Sequence, residues 1–294
     1  MQRAAIVTGA GKGLGKAYCL MLAQRGYGVV VNNRTHPGQP SSAEAVVAEI
    51  VAKGGAAVAH HGAVDDPAAG VEMTALALER FGRLDAMVCN AGIMPEGLFT
   101  DFPLDAARQA VDINLLGTIY PLQPAWRHMV EQGAGRVVIT GSSVGLHGHG
   151  TTAVYGATRS AMVGLARSLA LEVPAACDLC INVILPLGYT AMAAQQMPPE
   201  QGARLPVEKV AEVLVWLCSE ECRATGRIFH TGGGRVVRTA IVDSESIPIE
   251  ELGMAALADG RLDPIPGNEA NASTEAAGRM LGGYKLTPVL PGGH

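Results

Sequence analysis

The chain has 294 residues, of which 48% are apolar and 17% are charged, below the roughly 25% charged residues of an average soluble domain. This length suits one large α/β domain with a short appendage. The formal net charge of -5 and the pI near 5.9 argue against binding to nucleic acid or to an anionic membrane, because both depend on excess positive charge.

The beginning of the chain passes directly from Met1 into an apolar run, without the pattern of a secretory signal. No uninterrupted apolar run reaches the length of about 18 residues that a membrane span needs. Six cysteines without such a signal favour reduced thiols. We therefore expect a soluble protein of the cytoplasm that binds no membrane.

Short apolar runs alternate with longer helical stretches along most of the chain. The predicted strands are Ala4–Thr8, Gly28–Asn32, Ala56–His60, Leu84–Cys89, Arg136–Thr140, Leu179–Leu185 and Arg227–Thr231. The predicted helices are Gly13–Arg25, Ser41–Lys53, Pro67–Phe81, Leu104–Gln132, Thr152–Glu172 and Val207–Ser219. Apolar strands without strict alternation are buried on both faces, and helices of this length form right-handed crossovers between parallel strands. The pattern therefore predicts the α/β class, with a Rossmann-type, doubly wound, seven-stranded parallel sheet.

The strand–helix pattern ends after about Thr239, where the sequence becomes rich in Pro, Gly, Ala and Glu. We predict one domain at residues 1–238, followed by a C-terminal extension at 239–294 that is too short and too weakly apolar to fold independently. The apolar segments Ile247–Ile249 and Leu286–Leu290 predict that the extension is partly ordered. We expect it to contact either another subunit or the segment Leu187–Leu205, which is expected to cover the substrate.

A glycine-rich run, TGAGKGLG at residues 8–15, joins the first strand to the first helix. Glycines allow a tight turn and close approach of the backbone to a pyrophosphate, and the helix N-terminus supplies N–H groups. An ordinary turn is the alternative, but the position within a βαβ unit favours a dinucleotide site. The predicted cofactor-binding residues of this turn are Gly9, Lys12, Gly13, Leu14 and Gly15.

Further motifs follow in a recognisable order. They are Asn90-Ala91-Gly92 after the fourth strand, Asn114 in NLLG at 114–117, Ser142 at the end of the fifth strand, Tyr155, and FHTGG at 229–233. Together with the glycine-rich run they resemble the short-chain dehydrogenase/reductase family over residues 3–235. Residues 8–18, 29–32 and 215–222 are similar to its (3R)-hydroxyacyl-CoA dehydrogenase sub-family, found in peroxisomal multifunctional β-oxidation enzymes. That similarity does not by itself establish an acyl-CoA substrate.

The resemblance implies that Tyr155 is the general acid and base, that Ser142 hydrogen-bonds the substrate oxygen, and that Asn114 supports a water on the proton path. The family has a Lys four residues after the Tyr, which holds the nicotinamide ribose, whereas this chain has Arg159. Arginine keeps the positive charge but cannot release a proton near neutral pH, and its planar fork places donors differently.

Three interpretations of this substitution stay open. In the first, hydride transfer continues and Arg159 orients the ribose. In the second, the scaffold performs non-redox chemistry (dehydration, cyclisation or isomerisation) and Arg159 takes part in the reaction. The third is a catalytically silent cofactor-binding or regulatory subunit. We favour the first, an oxidoreductase that interconverts a ketone and a secondary alcohol on an apolar or aromatic small molecule.

The identity of the cofactor depends on the end of the second strand. A carboxylate there usually binds the adenosine ribose of NAD, but this chain has Asn33 and Arg34. Because Arg34 and Lys12 would attract a 2′-phosphate, we predict NADP(H), with NAD(H) as the alternative cofactor. The other interpretation is that both residues are solvated surface charges without a function. The resemblance also implies that Asn90, Ala91 and Gly92 line the adenosine side.

Other residues have weaker signals. Thr190 follows the sixth strand, where the family's Pro-Gly is displaced by one residue, and could approach the nicotinamide carboxamide. His147 and His149 lie in a loop expected to line the substrate mouth, and Met192 lies in a segment expected to cover it; a solvated loop and core packing are the alternatives.

Cysteines and helices give two final expectations. Two cysteine pairs, Cys177 with Cys180 and Cys218 with Cys222, superficially suggest zinc. The second pair is loosely spaced and both are expected near the N-terminal edge of the sheet, away from the active site, so we expect buried free thiols and no metal. The resemblance implies a homodimer or homotetramer formed through the helices predicted at Leu104–Gln132 and Thr152–Glu172.

Overall fold

The structure, a computed structural model, describes residues 2–195, 197–244 and 246. The strands in this part of the chain are β1 Ala4–Val7, β2 Gly28–Asn32, β3 Ala56–His60, β4 Ala86–Cys89, β5 Ala134–Thr140, β6 Asp178–Leu187, β7 Ile228–Gly232 and β8 Arg235–Thr239. The α-helices are α1 Gly13–Gln24, α2 Ser42–Ala52, α3 Pro67–Phe81, α4 Leu104–Ala110, α5 Gly117–Gln132, α6 Val144–His147, α7 Ala153–Leu171, α8 Pro199–Gly202 and α9 Val207–Leu217. None of the helices described is long and apolar enough to cross a membrane.

The strands form one sheet in the order β3-β2-β1-β4-β5-β6-β7-β8. Neighbouring strands from β3 to β7 are parallel. The winding reverses between β1 and β4, and ligands of such sheets bind at the carboxyl ends of the strands beside that point. The predicted α/β, doubly wound fold is confirmed.

Each face of the sheet packs against its own set of helices. One apolar core lies between the sheet and α1, α2 and α9. The other lies between the sheet and α3, α5 and α7. Val29 and Val31 belong to the first core while Val30 belongs to the second, as expected for a strand buried on both faces.

The sheet has one strand more than the seven that the sequence predicted. β8 follows β7 after Gly233 and Gly234, whose φ values of 56° and 72° suit the tight two-residue turn of a hairpin. Most residues of β8 are exposed, so the strand lacks the buried apolar run by which the other strands were recognised.

The helix predicted at Leu104–Gln132 is not continuous. A π-helical stretch at Val111–Leu116 separates α4 from α5. Further along, Pro121 and Pro124 lie inside α5, where each lacks the N–H group that would bond to the preceding turn. Single π-turns of this kind are common at functional sites, and this one contains Asn114.

Contacts between residues divide the chain into two units, Met1–Arg238 and Thr239–His294. The apolar segments Ile247–Ile249 and Leu286–Leu290, for which contacts were predicted, lie outside the described residues.

Candidate active site

The glycine-rich turn lies between β1 and α1 and leaves its backbone bare. Gly9 and Gly13 have φ values of 61° and 56°, a backbone conformation that residues other than glycine rarely adopt. A Cβ atom on Gly9 would lie 2.7 Å from the Cα atom of Ala91, and one on Gly15 would overlap the carbonyl oxygen of Gly9. The backbone N–H groups at the start of α1 are therefore open to an anion such as a pyrophosphate.

The end of β4 is tied to the glycine-rich turn by side-chain hydrogen bonds. The Thr8 hydroxyl oxygen accepts the N–H groups of Asn90 and Ala91 at 2.9 and 3.1 Å. The Asn90 amide donates to the carbonyl oxygens of Thr8 and Gly9 at 3.0 and 3.1 Å. Asn90 therefore positions the turn, and Thr8, which sequence reasoning did not single out, is its partner.

The adenosine end of the predicted site carries two cations. Gly11 and Asn33 lie against each other, since a Cβ atom on Gly11 would lie 2.9 Å from Cγ of Asn33. Lys12 and Arg34 are the residues that follow these two in the chain, so both cations flank this contact. Both cations are exposed, and neither forms an ion pair with a residue that the structure describes. Lys16, by contrast, is 2.8 Å from a Glu49 oxygen.

The hydroxyl groups of Ser142 and Tyr155 belong to two elements at the carboxyl end of the sheet. Ser142 follows β5, and its oxygen accepts the N–H of Val144 at 3.2 Å, which leaves its hydrogen free to donate. Tyr155 lies in the first turn of α7 and is 7% exposed. Its hydroxyl forms no hydrogen bond with a described residue. Both hydroxyls therefore have a hydrogen left to donate, and their action on a substrate oxygen stays a prediction.

Asn114 is fully buried and is engaged by protein groups. Its amide oxygen accepts the N–H of Ile93 at 2.8 Å, and its amide nitrogen donates to Ile93 O and to the Thr158 hydroxyl at 2.9 and 3.0 Å. Thr158 in turn donates to the carbonyl oxygen of Tyr155 at 2.8 Å. The pair thus holds the turn of α7 that carries Tyr155, and support of a water by Asn114 stays a prediction.

Arg159 is 4% exposed and extends along the ends of two strands. Its Nη1 donates to the carbonyl oxygen of Thr140 at 3.0 Å, and its Cζ lies 5.3 Å from the centre of the Tyr155 ring. A Cβ atom at Gly92 would overlap Nη2, so glycine at that position makes room for the guanidinium. The cation therefore lies over the face of the Tyr155 ring.

Two buried polar atoms in this region have no partner among the described residues: Nε of Arg159 and the hydroxyl of Thr140. Buried polar groups are usually hydrogen-bonded. The unsatisfied Nε of Arg159, whose guanidinium lies over the Tyr155 ring, and the open glycine-rich turn together fit a site that is completed by a polar cofactor. The orientation of a ribose by Arg159 stays a prediction.

The remaining predicted residues lie around this centre. The methyl group of Thr190 would be 3.2 Å from a Cβ atom on Gly13, and its hydroxyl oxygen accepts the N–H of Ala193 at 3.3 Å. Leu14 packs beside Gly188. The side chains expected to line the substrate mouth, those of His147, His149 and Met192, are all exposed.

The cysteine pairs lie in the interior or near it. Cys180 donates through its sulfur to the carbonyl oxygen of Cys222 at 3.7 Å. Burial raises the pKa of Cys218 and of Cys222, which disfavours the thiolates that zinc requires. Among the described residues, no three His, Cys, Asp or Glu side chains are grouped so that they could hold a metal ion.

Known proteins share this combination of sheet and site. The family model for short chain dehydrogenases matches residues 3–201. A short-chain type dehydrogenase/reductase of Mycobacterium tuberculosis is 36% identical over 291 residues, which cover 97% of this chain and 98% of that protein. The peroxisomal multifunctional enzyme type 2 of Mus musculus is 37% identical over 237 residues, covering 79% of this chain and 32% of the mouse protein.

A solved structure supports the same relationship. The full-length peroxisomal multifunctional enzyme type 2 of Drosophila melanogaster matches with a TM-score of 0.79 and 27% identity, over 96% of this chain and 49% of that one. The predicted similarity to part of these multifunctional enzymes is thereby confirmed. The chain belongs to the short-chain dehydrogenase/reductase family, whose members are oxidoreductases that use a nicotinamide cofactor on carbonyl and alcohol groups.

Proposed function

We propose that this chain is an NADP(H)-dependent oxidoreductase that interconverts a ketone and a secondary alcohol on an apolar or aromatic small molecule. The observation that carries the proposal is the pair of uncommitted hydroxyls, Ser142 and Tyr155, at the carboxyl end of a sheet that also presents a bare glycine turn. The family relationship supports the general reaction, and the cofactor preference and the substrate class are the finer parts of the proposal.

The proposed chemistry follows from what each side chain can give. In the direction of reduction, the Ser142 hydroxyl donates a hydrogen bond to the substrate oxygen and holds it in place. The Tyr155 hydroxyl transfers its proton to that oxygen as the alcohol forms. When bound, the nicotinamide supplies the hydride to the carbonyl carbon. The reverse direction runs the same steps backwards.

Arg159 supports Tyr155 without exchanging a proton. Its guanidinium lies against the ring face, where it stabilises the tyrosinate left after proton transfer. Because arginine stays protonated near neutral pH, the proton that restores Tyr155 comes from solvent by a path that does not use this side chain. We infer that Arg159 acts by charge and position.

The proposed preference for NADP(H) rests on Lys12 and Arg34. Both are exposed cations without an ion-pair partner among the described residues, and they flank the contact between Gly11 and Asn33. A 2′-phosphate would gain charge-assisted hydrogen bonds from them, whereas the 2′-hydroxyl of NAD(H) gains less. The exposed Met192, in the segment after β6, supports an apolar substrate, since methionine adapts to varied apolar surfaces.

We also propose that the chain assembles as a homodimer or homotetramer. Apolar side chains are exposed on the helices expected to form the contacts: Leu104 is 86% exposed, Leu171 58% and Val111 39%. Burial of such side chains between subunits would stabilise the assembly.

The test is the absorbance of reduced nicotinamide with purified protein and a panel of ketones and secondary alcohols. We expect turnover on apolar or aromatic members with NADPH or NADP⁺, and tighter binding of NADP⁺ than of NAD⁺. If the cofactor binds but no ketone or alcohol of the panel changes its oxidation state, the proposed reaction is contradicted. Equal affinity for the two cofactors would contradict the preference alone.

A further inference from the structure

His60 is a partly buried imidazole at the carboxyl end of β3. It pairs in register with Asn32 at the end of β2, and both side chains are on the face that packs against α3. Asn32 is 1% exposed and His60 is 8% exposed. Sequence reasoning assigned neither residue a role.

The hydrogen bonds around His60 define which of its nitrogens carries the proton. Gly62 N–H, which can only donate, points to Nδ1 of His60 at 3.3 Å. Gly62 O, which can only accept, takes the Asn32 amide N–H₂ at 2.9 Å, and that same amide nitrogen is 3.0 Å from Nδ1. Nδ1 therefore accepts from two donors and carries no proton. The single imidazole proton lies on Nε2, which donates to Glu72 at 3.3 Å.

This arrangement is connected to the glycine-rich turn through the backbone. The carbonyl oxygen of Asn32 accepts the N–H of Ala10, inside the turn, at 2.8 Å. The next residue, Asn33, donates its N–H to the carbonyl oxygen of His60 at 3.0 Å. His60 thus holds the segment that supports one side of the turn and carries the residues predicted to bind the adenosine end.

A second proton on His60 would disrupt these bonds. It would have to lie on Nδ1, where it would face the N–H groups of Asn32 and Gly62. The charged groups near the imidazole are Glu72 on α3, which favours the added proton, and His61, which is itself paired with Glu44 on α2. Burial outweighs Glu72 and lowers the pKa of His60 below its ordinary 6.5.

The sign of the pH effect follows from this direction. Because folding lowers the pKa of His60, the unfolded chain binds more protons as the pH falls below about 6.5. The contribution of neutral His60 to the free energy of unfolding is fully present above that pH. It is lost as the pH falls through the folded-state value.

We propose that neutral His60 is a positioning residue for the cofactor site, which holds Asn32 and the glycine-rich turn in the binding geometry and releases them when it is protonated. The inference rests on the cofactor site proposed above. It adds a residue to that site and predicts that acid weakens the affinity for cofactor while leaving the sheet intact.

The experiment measures the dissociation constant of NADP⁺ by calorimetry between pH 5.5 and 8 for the full chain and three variants. His60→Asn keeps an acceptor close to the place of Nδ1 but does not titrate, whereas His60→Leu removes the acceptor. His61→Asn removes the exposed neighbouring histidine as a matched control. Each dissociation constant is divided by that of His60→Asn at the same pH, which removes the effect of the cofactor's own titrating phosphate.

We expect wild type and His61→Asn to lose affinity relative to His60→Asn in acid, by up to about tenfold per pH unit for one linked proton. His60→Leu should bind weakly throughout, with no extra loss in acid. A wild-type ratio to His60→Asn that stays constant with pH would overturn the proposal, even if His60→Leu fails to fold.

Nitrogen-15 NMR of the imidazoles tests the contact without cofactor. The proposal expects a protonated Nε2 and an unprotonated Nδ1 for His60 at pH 8, with protonation below pH 6.5. The opposite tautomer would overturn it. Failure to bind NADP⁺ at pH 8, with this tautomer present, would refute the proposed cofactor site and with it the role of His60, while leaving the hydrogen bonds themselves established.

Discussion

The glycine-rich turn and the centre around Tyr155 lie at the same edge of the sheet but are built differently. The turn is formed by backbone: positive φ values at Gly9 and Gly13, and close approach of Gly9 to Ala91. The centre is formed by side chains from distant elements, as in the contact of Arg159 with Thr140 on β5. A site formed by backbone requires glycine at fixed positions. A site formed by side chains can accept a different residue at one position if the neighbouring residues leave room for it.

Arg159 illustrates the second case. The guanidinium is larger than the ammonium expected from the family resemblance, and it fits because Gly92 has no side chain and because the Thr140 carbonyl accepts one of its hydrogens. A positive charge therefore stays beside Tyr155, and we propose that the proton reaches Tyr155 by a route that does not use this side chain.

The largest effect is expected at Tyr155. Tyr155→Phe should lower kcat by about 100-fold to 10000-fold, because it removes the general acid, and should leave the dissociation constant of NADP⁺ unchanged. Single-turnover kinetics and calorimetry measure the two quantities. Tyr120→Phe, on α5, serves as the matched control and should keep wild-type activity. Native turnover that survives in Tyr155→Phe would show that another group is the acid.

An intermediate effect is expected at Arg159. Arg159→Ala should reduce the rate about tenfold to 100-fold, because a charge-assisted hydrogen bond contributes about 1.5–3 kcal/mol. Arg159→Lys should preserve or increase carbonyl reduction, since an ammonium restores a compact charge that can also release a proton. Steady-state rates with NADPH measure both.

A second variant separates the position of the charge from its presence. Gly92→Ala leaves Arg159 in the chain but pushes its guanidinium away from the strand end. We expect its rate to fall toward that of Arg159→Ala. Loss of the native reaction in Arg159→Lys, without any gain in reductase activity, would instead favour non-redox use of the scaffold.

The smallest effect is expected at the adenosine end. Arg34→Ala should weaken NADP⁺ binding by about tenfold and leave NAD⁺ binding unchanged, a modest change because the side chain is exposed to solvent. Lys16→Ala is the control, since Glu49 already neutralises that cation. Parallel calorimetric titrations with the two cofactors compare the variants. Equal weakening of both cofactors would show that Arg34 does not read the 2′-phosphate.

Most of the fold follows from patterns that are local in the sequence. Buried apolar strands, such as Gly28–Asn32, and the helices between them are recognisable because burial on both faces leaves a continuous apolar run. β8 escaped prediction because its residues are mostly exposed and its pairing depends on β7. The break at Val111–Leu116 escaped because this stretch contains no glycine or proline that would indicate an interruption of the helix.

The site divides in the same way. The glycine-rich turn could be located from its spacing and its place after the first strand, and Tyr155 from the family resemblance. The contact of Asn114 with Thr158 and the hold of His60 on Asn32 could not, because both join residues from different elements. The one available signal was position: His60 ends the strand that neighbours the one ending at Asn32.

The transfer of a labelled hydride tests the central claim most directly. NADPH carrying deuterium at the transferable C4 position is incubated with the full chain and an apolar or aromatic ketone, and the alcohol is analysed by mass spectrometry. We predict one deuterium on the carbinol carbon with wild type, and none above background with Tyr155→Phe over the same time. Product formed without deuterium, or from NADPH that is bound but not oxidised, would contradict the assignment of this chain as an oxidoreductase of ketones and alcohols.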